Sequence, residues 1–361
     1  MAPQLRTQLG SRGTLQNALL NQRTARLSTS SRKHCLDIRA DNVLIINTKG
    51  GGHAFLGLHT ANKLLKAGHR VTILNDGDKD KLSKKQPFSA YNALDGLNVV
   101  WGDPKDPGTY PEEEFDVVYD NNGKDLDTCR PAIDTFKGRV KHYVFVSSAG
   151  MYKPDPIEPM HVEGDALKES AGHYAVEQYL KEEQLPYTIF RPQYIYGPNT
   201  AKDCEQYYID RIIRDRPVCI PAPGIQLTSI SHVEDLATLL ASVPGNERAV
   251  GEDFNLVGDR CYTLVGLAEM IAKAMGTEAK IVLYNPKEFD IPKGKGFPFR
   301  AVHFFASADK CKEVLGWEPK HSFAKDVNDR IQAYIDEGRG MKVDFTVDDM
   351  ILERLGMAVV V

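Results

Sequence analysis

Basic and aromatic side chains are interleaved between positions 284 and 305 of this 361-residue chain, in the segment YNPKEFDIPKGKGFPFRAVHFF. Cations can follow phosphates while aromatic faces stack on unpaired bases, a combination that looped and single-stranded RNA favours. The segment therefore predicts an RNA-binding patch that contains Lys293, Lys295, Phe297, Phe299 and Arg300. The alternative is a loop that covers a substrate site and buries its aromatic side chains in the core. Both interpretations stay open.

A second group of polar side chains could hold a metal ion. Asp120 and Asp125 lie in and just after the apolar run FDVVYD, which predicts a buried strand. Open α/β sheets bind ligands at the carboxyl ends of their strands, and Mg²⁺ prefers one or two carboxylates plus water. The two aspartates are therefore candidate Mg²⁺ ligands, although acidic turn residues without a metal are more common.

A glycine-rich turn near the start of the chain could meet a dinucleotide. It follows the apolar run VLII and precedes a helical pattern, the order that opens a dinucleotide-binding sheet. The pattern is GxxGxxG with alanine at the middle position, so a purely structural turn is an equal alternative. The candidate cofactor-binding residues are Gly51, Gly52, Gly57, Asn75 and Asp103. Asn75 stands where an acidic residue would bind the ribose of NAD, which argues against NAD(P) binding.

Short apolar runs separated by helical patterns must position these residues, and they predict an α/β fold with a doubly wound parallel sheet. The predicted strands are 43–46, 69–74, 99–101, 115–120, 143–148 and 188–191. We expect a Rossmann-type domain over residues 41–200. A smaller C-terminal substrate-type domain is expected over residues 201–340, with some segments returning to the sheet, and a C-terminal tail over residues 341–361.

Several motifs occur in the order and spacing of the extended short-chain dehydrogenase/reductase family, which includes nucleotide-sugar epimerases and dehydratases. They are SSAGMY, RPQYIYGP, FNLVGDRCYTLVGLAEMIAKAMG and KCKEVLGWEP. The resemblance implies a Ser/Thr and a Tyr-x-x-x-Lys pair as acid/base groups. Ser148 occupies the Ser/Thr position, and the register anchored at Glu177 places Glu169 and His173 where the tyrosine and lysine should stand.

The Tyr-x-x-x-Lys pair is absent from the whole sequence, because none of the fifteen tyrosines has a lysine four residues later. We therefore expect no NAD(P)-dependent dehydrogenase or epimerase activity of the usual kind. A nucleotide-sugar epimerase or dehydratase with non-standard residues stays an alternative, as does a non-catalytic scaffold. Glu169 and His173 could also be a surface ion pair at i, i+4 if the helix extends that far.

The segments NTKGGGHAFLG, VVYDNNGKDLDTCRP and HVEGDALKESAGHYAVEQYL resemble the chloroplast stem-loop-binding proteins, the a type more than the b type. This resemblance implies RNA binding in the chloroplast stroma, to stem-loop or ribosomal RNA, in processing or stabilisation. It implies metal-dependent endoribonuclease activity in some members. The implied partners are a paralogous b-type protein and ribosomal particles, and the protein is expected to be an oligomer.

Charge is distributed unevenly along the chain. Residues 1–36 contain five arginines and one lysine and no acidic residue, a composition typical of an organellar transit peptide. Removing them leaves 39 of 45 basic residues against 49 acidic ones, a formal charge of about -10. RNA binding must therefore depend on local patches. A second basic run, Arg211, Arg214 and Arg216, is expected to be solvated helix charge.

Overall fold

The computed structural model describes residues 40–48, 53–200, 204–292, 294–338, 340 and 343–358. Fourteen strands are found among these residues: β1 Asn42–Asn47, β2 Arg70–Asp76, β3 Asn98–Gly102, β4 Val117–Asn121, β5 His142–Val146, β6 Met160–His161, β7 Tyr187–Pro192, β8 Tyr194–Tyr196, β9 Val218–Pro221, β10 Leu227–His232, β11 Glu252–Leu256, β12 Cys261–Thr263, β13 Ile281–Tyr284 and β14 Phe305–Ala306.

The same residues form ten α-helices, several of which carry an apolar face that packs on a sheet. They are α1 Ala54–Lys66, α2 Lys79–Leu82, α3 Leu126–Phe136, α4 Gly172–Glu182, α5 Gln206–Ile212, α6 Val233–Ala241, α7 Leu264–Ala274, α8 Asp309–Leu315, α9 Phe323–Asp336 and α10 Thr346–Arg354.

A seven-stranded sheet forms the centre of the first domain. Its strand order is β11-β7-β5-β4-β1-β2-β3, and all neighbouring pairs are parallel. Buried side chains of α1 and α6 cover one face of this sheet, and those of α3 and α4 cover the other. The predicted doubly wound parallel sheet is therefore confirmed. β11 comes from beyond residue 201, so the later half of the chain does return to the sheet.

The second, smaller part of the fold packs around its own apolar cluster. Helices α5, α7 and α9 pack there against the sheet β12-β10-β8 and the pair β13-β9. The pair β14-β6 links residues 305–306 to residues 160–161. The domain boundaries stay predictions, and residues 1–36 lie outside the described residues. Within the described part of the chain, no helix is long and apolar enough to cross a membrane.

Helix α10 occupies the segment predicted as a tail, and it explains the second basic run. Arg211 on α5 is buried and donates Nε and Nη2 to the two carboxylate oxygens of Asp348, at 2.7 and 2.6 Å. Arg216 is also buried and pairs with Asp349. The prediction of solvated charge is wrong for Arg211 and Arg216, because acidic residues more than 130 positions away neutralise their charges. Arg214 is half-buried and donates to the backbone carbonyl of Asp210 at 2.8 Å.

Candidate functional site

The positions predicted for acid/base chemistry do not form a catalytic pair. Helix α4 begins at Gly172, so the helix does not extend back to Glu169, and the condition for a helical pair of Glu169 and His173 is not met. The ring of His173 lies 6.3 Å from that of Phe145, and burial lowers the pKa of His173. Ser148 Oγ accepts a hydrogen bond from Gly150 N at 3.1 Å, which caps a short 3-10 turn.

Glu177, the residue that anchored this register, takes part in a buried ion pair. Arg191 Nε and Nη2 donate to its two carboxylate oxygens at 3.0 and 2.7 Å, and Ser147 Oγ donates to it at 2.6 Å. Arg191 Nη2 also lies 2.6 Å from Asp253 Oδ2. These bonds connect α4 to the carboxyl ends of β5 and β7 and to β11. The ion pair of Glu177 and Arg191 therefore has a structural role.

Three asparagines lie at or next to the carboxyl ends of the adjacent strands β2, β1 and β4, and their side chains bond to one another. Asn121 Nδ2 donates to Asn47 Oδ1 at 2.7 Å, while Asn47 Nδ2 donates to Ala54 O at 3.0 Å and Tyr91 OH at 2.8 Å. Tyr91 OH in turn donates to Asn75 Oδ1 at 2.7 Å. We call Asn47, Asn75, Asn121 and Tyr91 the asparagine cluster.

This cluster determines the roles of two predicted cofactor residues. Asn75 is fully buried and its amide is used inside the cluster, so it does not offer the ribose contact predicted for it. A Cβ at Gly57 would lie 2.4 Å from Asn47 Oδ1, so this glycine allows the helix to approach the strand. Asp103 is exposed and accepts from Lys105 N in a turn. Gly51 and Gly52 lie outside the described residues.

The two predicted magnesium ligands have separate local roles. Asp120 is buried and accepts hydrogen bonds from Asn122 N, Gly123 N and Tyr143 OH, and burial raises its pKa. Asp125 caps the N-terminus of α3, where the hydrogen bond from the Thr128 hydroxyl lowers the pKa of its carboxyl group. Neither arrangement leaves an open pair of carboxylates.

A different group of the described residues could hold an ion. One ligand atom each from His232, His321 and Asp326 lie within 4.8 Å of one another. The two imidazole rings stack at 3.8 Å, and Tyr196 OH already donates to Asp326 Oδ2 at 2.7 Å. The lone pair of an imidazole nitrogen lies in the plane of its ring. Because the two stacked rings lie in separate parallel planes, their lone pairs do not converge on a common ion.

The residues predicted to contact RNA separate into buried and accessible ones. Phe299 is 5% exposed and packs on the rings of Tyr194 and Tyr208, so it cannot stack on a base as predicted. Arg300 packs its guanidinium 4.1 Å from the Phe304 ring centroid and donates to a backbone carbonyl. Lys295 is 60% exposed, with Asp344 at 3.5 Å. Lys293 lies outside the described residues.

Lys295 and Phe297 line a cavity of about 450 Å³ at the carboxyl edge of the parallel sheet. Three further residues on its wall bear on its chemistry: His53, before α1, and Gln193 and Tyr194, after β7. Burial, with a smaller effect of His173, lowers the pKa of His53 to about 4, and burial raises the pKa of Tyr194 to about 12. Both side chains are therefore neutral near pH 7.

Gln193 is the residue of this cavity that the sequence does not mark. It is 7% exposed, and neither Nε2 nor Oε1 has a hydrogen-bond partner within the described chain. In the sequence it is one letter of RPQYIYGP, and nothing in that pattern tells whether its amide is paired. Only the three-dimensional environment reveals the two unused hydrogen-bonding groups.

Comparison with known proteins supports this description of the fold. Residues 51–210 match a family described as NAD(P)H-binding. The dTDP-glucose 4,6-dehydratase of Bacillus anthracis, solved in complex with NAD, superimposes with a TM-score of 0.65 at 19% identity, covering 83% of this chain and 98% of that one. The UDP-glucuronic acid 4-epimerase of Bacillus cereus gives 0.64 at 14% identity, with 82% and 99% covered. The fold is that of an extended short-chain dehydrogenase/reductase, here without the tyrosine-lysine pair.

Sequence relatives define the family more narrowly. The chloroplast stem-loop binding protein of 41 kDa b from Arabidopsis thaliana is 39% identical over 321 residues, which cover 84% of this chain and 83% of the relative. The chain therefore belongs to the chloroplast stem-loop-binding protein family, as its motifs predict. A UDP-N-acetyl-alpha-D-glucosaminuronate decarboxylase from Bacillus cytotoxicus is 25% identical, with 78% and 95% covered. Assignment to the a type stays a prediction.

Proposed function

We propose that this chain is an RNA-binding protein of the chloroplast stroma that acts on stem-loop or ribosomal RNA in its processing or stabilisation. The observation that supports this proposal is the cavity at the sheet edge. It combines an exposed cation, Lys295, with aromatic side chains and an unused amide, Gln193. These groups suit an unpaired nucleotide, since bases are recognised by stacking and by hydrogen bonds to their edges.

The name of the Arabidopsis relative agrees with this proposal, because it describes a chloroplast protein that binds stem-loops. The epimerase and dehydratase alternative is less well supported. His173 and Glu169 stand in place of the lysine and tyrosine, and they do not form the predicted helical pair. We expect no turnover of nucleotide sugars, because a positioned proton donor of suitable pKa is required for that chemistry.

Metal-dependent endoribonuclease activity stays a prediction from the family resemblance. Asp120 and Asp125 have separate local roles, so they do not suggest a Mg²⁺ site. The stacked histidines His232 and His321, whose rings are not directed at a common ion, lie in a different cavity. A paralogous partner, ribosomal particles and self-association are further parts of the proposal, and size-exclusion chromatography of chloroplast extracts can test them.

The direct test compares RNA binding with nucleotide-sugar chemistry in the same protein sample. The full chain is titrated into fluorescently labelled stem-loop RNA at several salt concentrations, and is separately incubated with NAD and UDP-glucose. We expect saturable RNA binding that weakens with salt, because phosphate contacts release counterions. We expect no turnover of the sugar. Sugar turnover that depends on His173, without RNA binding, would reverse this assignment.

A further inference from the structure

The amide of Gln193 is the least expected feature of the cavity. Buried polar groups in folded proteins almost always have a hydrogen-bond partner, and leaving one without a partner reduces stability. Gln193 is 7% exposed, and both of its amide atoms lack a partner in the part of the chain that the structure describes. Unused groups of this kind at the wall of a cavity indicate that a ligand supplies the missing bonds.

A second buried glutamine, Gln226, shows a structural amide in the same fold. Gln226 is 4% exposed, and its Nε2 donates to Ala222 O at 2.9 Å and to Ala301 O at 3.2 Å, while its Oε1 has no partner within the described residues. It joins two loops of the second domain. Gln193 makes no such connection, so packing alone does not account for its polar side chain.

The surroundings of Gln193 define the chemistry of the ligand. An amide offers one donor and one acceptor side by side, which matches the edge of a nucleobase and gives paired hydrogen bonds. Tyr194, Phe297 and His53 supply ring surfaces to the same cavity, and all three are uncharged near pH 7. Lys295 at the rim is 60% exposed and can meet a phosphate. The volume, about 450 Å³, is large enough for one nucleotide.

We propose that this cavity binds a single unpaired nucleobase, whose edge pairs with the side-chain amide of Gln193. The inference rests on the proposed RNA-binding function and identifies which part of the RNA is read. A loop base of a stem-loop can leave its stack at small cost, whereas a base inside the stem must first be unpaired. The protein therefore distinguishes a stem-loop from a continuous duplex by accepting one loop base.

The test uses Gln193→Leu with Gln226→Leu as its matched control. The full-length parent and both variants are titrated with three RNAs that share one stem. The first carries the natural loop, the second carries an abasic loop, and the third is a continuous duplex. Unfolding by urea is measured for each protein, so that loss of binding is separated from loss of folding.

We expect Gln193→Leu to weaken binding of the natural loop about ten-fold, because one pair of base-edge hydrogen bonds is lost. The abasic loop should bind parent and variant equally. The urea midpoint of Gln193→Leu should match or exceed that of the parent, because no internal hydrogen bond is removed. Gln226→Leu should show the reverse, with a lower midpoint and unchanged preference for the natural loop.

The failures are distinguishable from one another. If the parent binds none of the RNAs, the proposed function fails together with this inference. If the parent binds the natural loop and Gln193→Leu binds it equally well, the base site is wrong while RNA binding stands. A free nucleotide could supply the same base edge, so AMP, UMP and NAD are added as competitors. Gln193-dependent binding of one of them that loop RNA does not displace would also overturn the proposal.

Discussion

At the carboxyl edge of the seven-stranded sheet, buried amide side chains occur in two regions that differ in their hydrogen bonding. In the asparagine cluster, Asn47 and Asn75 use their amides on one another, on Asn121 and on Tyr91. Gln193, which follows β7 at the same edge, uses neither of its amide atoms within the described residues. Residue type and burial are alike in the two regions, so they do not separate a structural residue from a ligand-binding one. The two regions differ in how many amide atoms have a hydrogen-bond partner: both atoms in Asn47 and Asn75, only Nδ2 in Asn121, and neither in Gln193.

The asparagine cluster also gives polar side chains at the carboxyl edge of the sheet a structural role. Asn47, Asn75 and Asn121 lie at or next to the carboxyl ends of three neighbouring strands, the edge at which a dinucleotide fold binds its cofactor. Here those groups hold the strands and the start of α1 together.

The largest loss of stability is expected when a buried ion pair is broken. Glu177→Leu leaves the guanidinium of Arg191 without its main partner in the core. Breaking a buried ion pair in this way should lower the free energy of unfolding by about 3 to 5 kcal/mol. Chemical denaturation measures it. The double variant Glu177→Leu with Arg191→Met should recover part of the loss, and a loss below about 1 kcal/mol in the single variant would contradict a structural role.

Protonation of a buried, hydrogen-bonded histidine should also lower the stability of the folded protein. His142 is buried and its Nε2 lies 2.7 Å from Thr188 Oγ1, and burial lowers the pKa of His142 to about 4. The unfolded chain takes up a proton near pH 6.5, but the folded protein does not until about pH 4. Stability should therefore fall as the pH falls from 6.5 to 4, by about 3 kcal/mol for this one group.

His142→Gln keeps a side-chain donor and removes the titration. Urea midpoints measured between pH 7 and pH 4 should fall less steeply for this variant than for the parent. His53 and His232 also have a pKa lowered to about 4 by burial, so the parent slope should exceed that of one histidine. Parallel curves for parent and variant would show that folding does not lower the pKa of His142.

Substituting the buried amides should lower the free energy of unfolding by a smaller amount. Asn47→Ala removes hydrogen bonds to Ala54, Tyr91 and Asn121 and leaves their groups buried without that partner. We expect a loss of about 2 kcal/mol in the free energy of unfolding. Gln193→Leu should stay within about 0.5 kcal/mol of the parent, because it breaks no internal bond. Equal losses in the two variants would remove the distinction drawn between these regions.

The smallest effect concerns the exposed cation beside the cavity. Lys295→Ala should flatten the dependence of log affinity on log salt concentration by about 0.7, if the lysine meets one phosphate of a single strand. Lys280→Ala is the matched control, since Lys280 is 52% exposed and pairs with Asp215 away from the cavity. A change of slope in the control but not in Lys295→Ala would relocate the phosphate contact.

The predicted fold is confirmed because its signals are local. Runs such as VLII and YVFV are apolar on both faces, and such runs become central parallel strands wherever the partners lie. The burial and pairing of the predicted site residues, in contrast, depend on partners distant in sequence. Arg211 and Arg216 pair with Asp348 and Asp349, and the ring of Phe299 is covered by Tyr194. No spacing rule connects residues more than 100 positions apart, so exposure of these residues could not be predicted.

Helix α10 gives the end of the chain a role in folding. Its Ile351 and Leu352 are buried against Cys219 and Tyr284, and its Asp348 neutralises Arg211 in the interior. A protein cut after residue 340 would retain α5 with that guanidinium buried and uncompensated. The second domain therefore becomes complete only after α10 has been synthesised. Until then, a nascent chain leaves Arg211 and the apolar side chains that α10 covers without their partners.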